Sequence, residues 1–301
     1  MSLFASYDPP PYRPPSEASS LLLRVTRGCP WNQCTFCSMY KDLQFEKRPV
    51  EEVLQDINTL REFSRGGVPT VFIGDSNSLV LETKTLVDIL QHLCKTFPSA
   101  QRVTSYARAR TLCKKPMEEL KAIRKAGLTR LHIGLETGDP ELLEEIKKGA
   151  SPEQMVEGAK RAKEAGFEVS LYVLAGIGGE KKWKQHAEGT AKVLNQVSPH
   201  FIRIRTYVPT PFSPLWDKVQ DGSFELASAE TILKEQRRLI ELLQVTSEYL
   251  SDHISNYVPV YGELPKDQAA MLQTLDRALD TLGKDDRYRW SLESKRHLAT
   301  L

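Results

Sequence analysis

From residue 21 onward, short apolar runs alternate with longer amphipathic stretches. The runs are Leu21–Val25, Thr70–Ile73, Arg102–Tyr106, Arg130–Ile133, Glu168–Leu174 and Phe201–Thr206, with starts 28 to 49 residues apart. β-Branched residues recur in them, as suits buried parallel strands. Between the runs, Pro49–Phe63 and Leu81–Thr96 carry apolar residues at helical spacing. Pro116–Ala126 stops at Gly127, and Pro152–Ala165 runs from a Ser151 cap to Gly166. Pro140–Lys148 follows Asp139 as cap, with proline at the first helical position. Six β/α units in this order predict an α/β fold, a partial (β/α)6 TIM-type barrel over residues 21–215. After Pro214 the rhythm changes. Residues 228–250 and 265–283 read as helices, so 216–301 is expected to be a helical C-terminal extension.

Composition alters this picture little. Residues 1–20 hold five of the 18 prolines and read as an extended arm. Apolar residues make up 40% and charged residues 27% of the 301, ordinary values for a soluble globular chain. The net charge of +2 carries no polyelectrolyte signature, so a small-molecule substrate is expected, with no nucleic acid indicated. No apolar run approaches the ~18 residues of a membrane span. The first residues lack the basic start and apolar stretch of a secretory signal, so no membrane and a cytoplasmic location are expected.

The cysteines change it most. There are five, and Cys29, Cys34 and Cys37 fall within nine residues, on the loop that leaves the first strand. In a reducing compartment this argues for metal or redox chemistry over a disulfide framework. In a parallel barrel that loop lies on the catalytic face. Three thiolates can each ligate one iron of a cubane cluster and leave the fourth iron open to a ligand. On spacing alone a zinc site stays open, with Cys94, Cys113 or a histidine as fourth ligand.

The segment resembles the cluster loop of the radical S-adenosylmethionine superfamily, whose usual spacing is CxxxCxxC with an aromatic before the last cysteine. Phe36 matches that aromatic; one extra residue separates Cys29 from Cys34. The resemblance covers about residues 20–215. Ile73-Gly74-Asp75-Ser76 is similar to the strand end that binds the methionyl amino group, with one glycine lost and Asp for Glu. Gly134-Leu135-Glu136-Thr137-Gly138 resembles relatives of the oxygen-independent coproporphyrinogen oxidase and Elongator type, in which this strand-end acid faces the cosubstrate. Lys148 stands near the place of a basic residue that meets the methionyl carboxylate. Tyr172 through Gly179 ends the fifth strand and resembles the adenosine-contacting edge.

The resemblance implies a [4Fe–4S] cluster held by the three cysteines, with S-adenosylmethionine cleaved reductively to a 5′-deoxyadenosyl radical. It also implies an electron donor such as a flavodoxin or ferredoxin. The alternatives are a methyl- or aminocarboxypropyl-transferring variant, and a non-catalytic iron–sulfur or zinc-binding protein.

Strand alternation adds a substrate expectation. If Glu136 points inward, so do His132 and Arg130; with Arg24, Arg203, Arg205 and Tyr172 they would line a cationic interior. Such arginines need anionic partners, which suggests a carboxylate- or phosphate-bearing substrate. His253, Asn256, Cys94 and Cys113 are expected to be structural.

Overall fold

The computed structural model describes residues 12–64 and 67–297; of the proline-rich arm, residues 1–11 lie outside the described residues. Pro15–Glu17 forms a single 3-10 turn. The strands are β1 (Leu21–Arg24), β2 (Thr26–Arg27), β3 (Glu46–Lys47), β4 (Thr70–Gly74), β5 (Arg102–Ala107), β6 (Arg130–Glu136), β7 (Glu168–Ala175), β8 (Phe201–Thr206), β9 (Ser247–Ser251) and β10 (Val260–Leu264). The helices are α1 (Val50–Phe63), α2 (Thr83–Thr96), α3 (Ala109–Lys114), α4 (Met117–Lys125), α5 (Pro140–Glu145), α6 (Pro152–Glu164), α7 (Trp183–Val197), α8 (Pro214–Gln220), α9 (Ala229–Leu242), α10 (Gln268–Lys284) and α11 (Asp286–Glu293). Strand order in the eight-stranded sheet is β1-β4-β5-β6-β7-β8-β9-β10, while β2 and β3 form a separate two-stranded ladder. This is the α/β fold of β/α units with a helical C-terminal region that the periodicity predicts.

The chain forms two compact units. The first comprises, among the described residues, 12–32, 42–64, 67–133 and 157–169. In it β1, β4, β5 and the start of β6 pair in parallel, with Leu21 opposite Val71, Thr70 opposite Arg102 and Thr104 opposite Arg130. Val71, Phe72 and Ile73 are fully buried, the near-continuous apolar run expected of a strand covered on both faces. The second unit comprises, among the described residues, 33–41, 134–156 and 170–297. There β7, β8 and β9 are parallel, and β10 runs antiparallel to β9. Helix α9 packs against α7 and α10.

Two expected helices end early. Helix α9 stops at Leu242, and Ser247–Ser251 is a strand with every second residue buried. Val245, Ser247, Tyr249 and Ser251 are buried at period two, so the segment pairs with β8 instead of continuing the helix. Helix α5 stops at Glu145, because Lys147 (φ +50°) and Gly149 (φ +74°) take left-handed conformations that turn the chain. Among the described residues no helix is long and apolar enough to cross a membrane.

Candidate active site

In the first unit, the start of the cysteine loop is tied to the end of β4. Arg24 closes β1, and its Nη2 lies 2.7 Å from Asp75 Oδ2. Both side chains are buried, at 2% and 0% exposure. The same carboxylate oxygen accepts the Gly28 N–H at 3.0 Å, while the Ser76 hydroxyl donates to the Gly28 carbonyl at 3.0 Å. Gly28 sits at φ +78°, where a side chain would be strained. Burial pushes the Asp75 carboxyl up, and Arg24 opposes the shift. Asp75 Oδ1 has no hydrogen-bond partner among the described residues. A Cβ at Gly74 would meet nothing closer than 3.7 Å, so packing within the chain does not demand glycine there. Cys29 is half-buried, and the Asn32 amide points to its Sγ at 3.4 Å.

The rest of the loop belongs to the second unit. The Thr35 amide donates to Ile146 O at 3.0 Å, and Thr35 O accepts the Leu215 amide at 2.8 Å. Lys41 Nζ donates to Cys34 O at 3.1 Å. Phe36 packs on an apolar cluster of Ile146, Ile177, Tyr207 and Leu215. Its ring centroid is 5.9 Å from Lys148 Nζ, which in turn lies 2.6 Å from Glu136 Oε1. Glu136 takes φ +60°, and the turn after α5 returns Lys148 to it. Gly134 is required by this pair: a Cβ there would sit 2.2 Å from Glu136 Oε1 and 2.7 Å from Lys148 Nζ.

Also in the second unit, Arg203 and Arg205 share one face of β8 while Ile202 and Ile204 are buried on the other. Arg205 stacks 5.3 Å over the Tyr172 ring, and Arg203 Nε donates to Ser170 Oγ at 3.2 Å. Beyond β9 the chain follows the edge of β8. Ser255 Oγ accepts the Thr206 amide at 3.2 Å, and Asn256 Nδ2 donates to Ile204 O at 2.8 Å. His253 Nδ1 accepts the Ser255 amide at 3.2 Å. Burial first, and then Arg205, pushes the His253 imidazole down to about 4, so it is neutral at physiological pH. At the end of β7 the Gly176 amide donates to Glu235 Oε1 at 2.8 Å. Burial pushes Glu235 up to about 8 and nearby His186 down to about 3.

The expected cationic interior is corrected at three positions. Arg24 is neutralised by Asp75, and Arg130 by Glu168 at 2.9 Å. His132 is fully buried, 3.1 Å from Glu17 and edge-on to Tyr106, so the chain itself engages its imidazole. A buried charge or polar group demands a partner, and neighbouring elements supply one in each case. Among the described residues Arg203 and Arg205 make no ion pair with a carboxylate: Arg203 stacks over Phe201 and donates to Ser170, and Arg205 stacks over Tyr172. Sequence patterns do not mark Glu235, the grip of Ser76 on Gly28 or which acid pairs with Arg24. An arginine closing the apolar run of β1 was the available signal, since it must find a counter-charge at a neighbouring strand end.

The donor set suits a cluster. Cys29, Cys34 and Cys37 are half-buried thiols outside any disulfide, and Cys29 receives an amide hydrogen bond of the kind that tunes cluster sulfurs. Burial raises the thiols of Cys94 and Cys113, and Cys94 Sγ is turned to Ala126 O. Among the described residues no three His, Cys, Asp or Glu side chains gather as one ion's ligand set.

The sequence profile of the Radical SAM superfamily matches residues 23–188. The chain belongs to the Radical SAM superfamily. That superfamily uses a [4Fe–4S] cluster and S-adenosylmethionine. An uncharacterized methyltransferase of Pyrococcus horikoshii is 28% identical over 200 residues, 65% of this chain and 41% of that protein. The heme chaperone HemW of Bacillus subtilis is 24% identical over 74% of this chain and 60% of its own length. The chain thus spans about half the length of these curated relatives, 41% and 60%. Coproporphyrinogen III oxidase (HemN) from Escherichia coli shares the fold with a TM-score of 0.59 at 18% identity, covering 74% of this chain and 51% of that one.

Proposed function

We propose that this radical SAM protein is an enzyme whose cluster is held by Cys29, Cys34 and Cys37 and whose substrate is a small molecule bearing carboxylate or phosphate groups. The observation that carries the reading is the set of three half-buried thiols, none in a disulfide, on a loop whose backbone is hydrogen-bonded at Gly28 and at Thr35. When bound, the cluster and S-adenosylmethionine supply one-electron cleavage of a sulfonium C–S bond and a hydrogen-abstracting radical.

The chain's own residues bind and orient. Lys148 offers its ammonium to the methionyl carboxylate, with Glu136 fixing its direction at 2.6 Å. Gly74 leaves room for close approach, and Asp75 Oδ1 is an unused acceptor for the methionyl ammonium. The turn at Gly176 and the apolar cluster around Ile177 and Tyr207 suit the adenosine moiety. Arg205 and Arg203, without carboxylate partners among the described residues, suit a substrate anion, and Tyr172 stacks beneath the first of them. The electron comes from a small donor such as a flavodoxin or ferredoxin.

The test is anaerobic reconstitution with iron and sulfide, then S-adenosylmethionine and dithionite, with 5′-deoxyadenosine as readout. Cys29→Ala, Cys34→Ala and Cys37→Ala should each abolish iron binding and product, whereas Cys94→Ala should change neither. Zinc in place of iron, or a loaded cluster that yields no 5′-deoxyadenosine, would contradict the enzyme and favour a binding protein.

A further inference from the structure

We infer that Asp75 and Ser76 form a clamp on Gly28 that sets the position of Cys29, so that the end of β4 governs how firmly the first cysteine holds the cluster. This rests on the assignment of the three cysteines as cluster ligands. The cysteine loop has one residue more between Cys29 and Cys34 than the common spacing of its superfamily, and a longer loop has more conformations to suppress. Two left-handed residues, Gly28 at φ +78° and Asn32 at φ +49°, bracket Cys29, so the chain changes direction on both sides of it. A cysteine placed between two such turns is held only as well as the turns are.

At Gly28 both main-chain groups are taken by consecutive residues. Its N–H is accepted by Asp75 Oδ2 at 3.0 Å, and its carbonyl receives the Ser76 hydroxyl at 3.0 Å. Asp75 is itself immobilised, because the same oxygen is 2.7 Å from Arg24 Nη2 and both side chains are buried. Arg24 is fixed in turn through its own carbonyl, which Arg48 Nη1 reaches at 2.9 Å while also pairing with Asp56 at 2.6 Å. The chain of contacts runs from the surface of α1 through Arg48, Arg24 and Asp75 to the peptide preceding Cys29. A ligand-binding role at Asp75 needs only Oδ1; the clamp uses Oδ2, so the two can be measured apart. Asp75 and Ser76 are positioning residues, since neither touches the sulfur.

Two variants separate the clamp from simple loss of fold. Ser76→Ala removes one grip and leaves the buried pair intact. The double variant Arg24→Met/Asp75→Leu replaces the buried pair by apolar groups of similar bulk, a change the fold can tolerate, and removes the other grip. Each full-length variant is reconstituted anaerobically without S-adenosylmethionine, checked for folding by circular dichroism, and followed for iron release to a chelator and for the electron paramagnetic resonance spectrum of the reduced cluster. Losing one hydrogen bond at the loop should speed iron release by about two- to tenfold in Ser76→Ala. The folded double variant should release iron faster still, with a changed spectrum in both cases. Folded variants that match the parent in release rate and spectrum overturn the clamp, even if Arg24→Met/Asp75→Leu binds S-adenosylmethionine less tightly. A parent that holds no [4Fe–4S] cluster overturns the clamp and the cysteine assignment together.

Discussion

The two halves of the cysteine loop are fastened by different chemistry. Before Cys29, the peptide at Gly28 is gripped by side chains, Asp75 and Ser76. Between Cys34 and Cys37, the peptide at Thr35 is gripped by main chain alone, the carbonyl of Ile146 and the amide of Leu215. A side-chain grip depends on residue identity and, where charged, on a buried counter-ion. A main-chain grip depends on where the backbone runs and tolerates almost any residue at the gripping position.

The largest consequence of that difference is expected at Asp75. Asp75→Ala removes the buried carboxylate 2.7 Å from the Arg24 guanidinium and should destabilise the protein by about 3–5 kcal/mol in denaturant melts. A loss no larger than that of an exposed ion pair would show that Arg24 finds another partner and that the side-chain grip is dispensable.

Glu235 extends the comparison to a side-chain grip that titrates, since it accepts the Gly176 amide at 2.8 Å. Its carboxyl, pushed up to about 8 by burial, stays protonated in the fold at pH values where the unfolded chain has released the proton. Stability should therefore fall as pH rises from the unfolded carboxylate range toward about 8. Buried His186, depressed to about 3, acts oppositely but only up to the unfolded histidine range near 6.5. Between pH ~6.5 and ~8 the fall belongs to Glu235, up to ~1.4 kcal/mol per unit. Glu235→Gln should flatten that part of a stability–pH profile, and an unchanged slope would rule Glu235 out as its source.

A smaller effect is expected at Gly134. Gly134→Ala places a methyl against the flexible ends of Glu136 and Lys148, so the fold should hold while the pair is pushed aside. Affinity for S-adenosylmethionine, read by equilibrium dialysis, should fall by about tenfold, the loss of one charge-assisted contact. Unchanged affinity would remove Lys148 from cosubstrate binding. The smallest effect is Thr35→Ala, which keeps the main-chain grip and should stay within about 0.5 kcal/mol of the parent. A loss comparable to that of Asp75→Ala would erase the distinction between the two halves.

The same distinction explains what could be read from the sequence. Strand and helix positions were legible to within a few residues where periodicity and punctuation agree, as for Phe201–Thr206 and the Asp139–Pro140 start of α5. The three cysteines stand out in the sequence by their clustering, and Glu136 and Lys148 only through the family resemblance; that the two pair at 2.6 Å is visible only in the structure. The grip on Thr35 was not legible, because Ile146 and Leu215 contribute backbone and their side chains announce only a core. Nor was β9 legible, since its period-two burial is built partly on serines, Ser247 and Ser251, that no hydrophobic pattern marks. Inward arginines were overcounted, because alternation fixes the face of a side chain and says nothing of the Asp75 or Glu168 waiting beside it.

The central claim is that three thiols on this loop hold a cluster with an iron left open for S-adenosylmethionine. Electron paramagnetic resonance of the dithionite-reduced, reconstituted protein, recorded before and after adding S-adenosylmethionine, tests it most directly. The account predicts a reduced [4Fe–4S] signal that shifts on addition and is absent in Cys29→Ala, Cys34→Ala and Cys37→Ala. A signal indifferent to S-adenosylmethionine, or one that survives loss of any of the three cysteines, would contradict it.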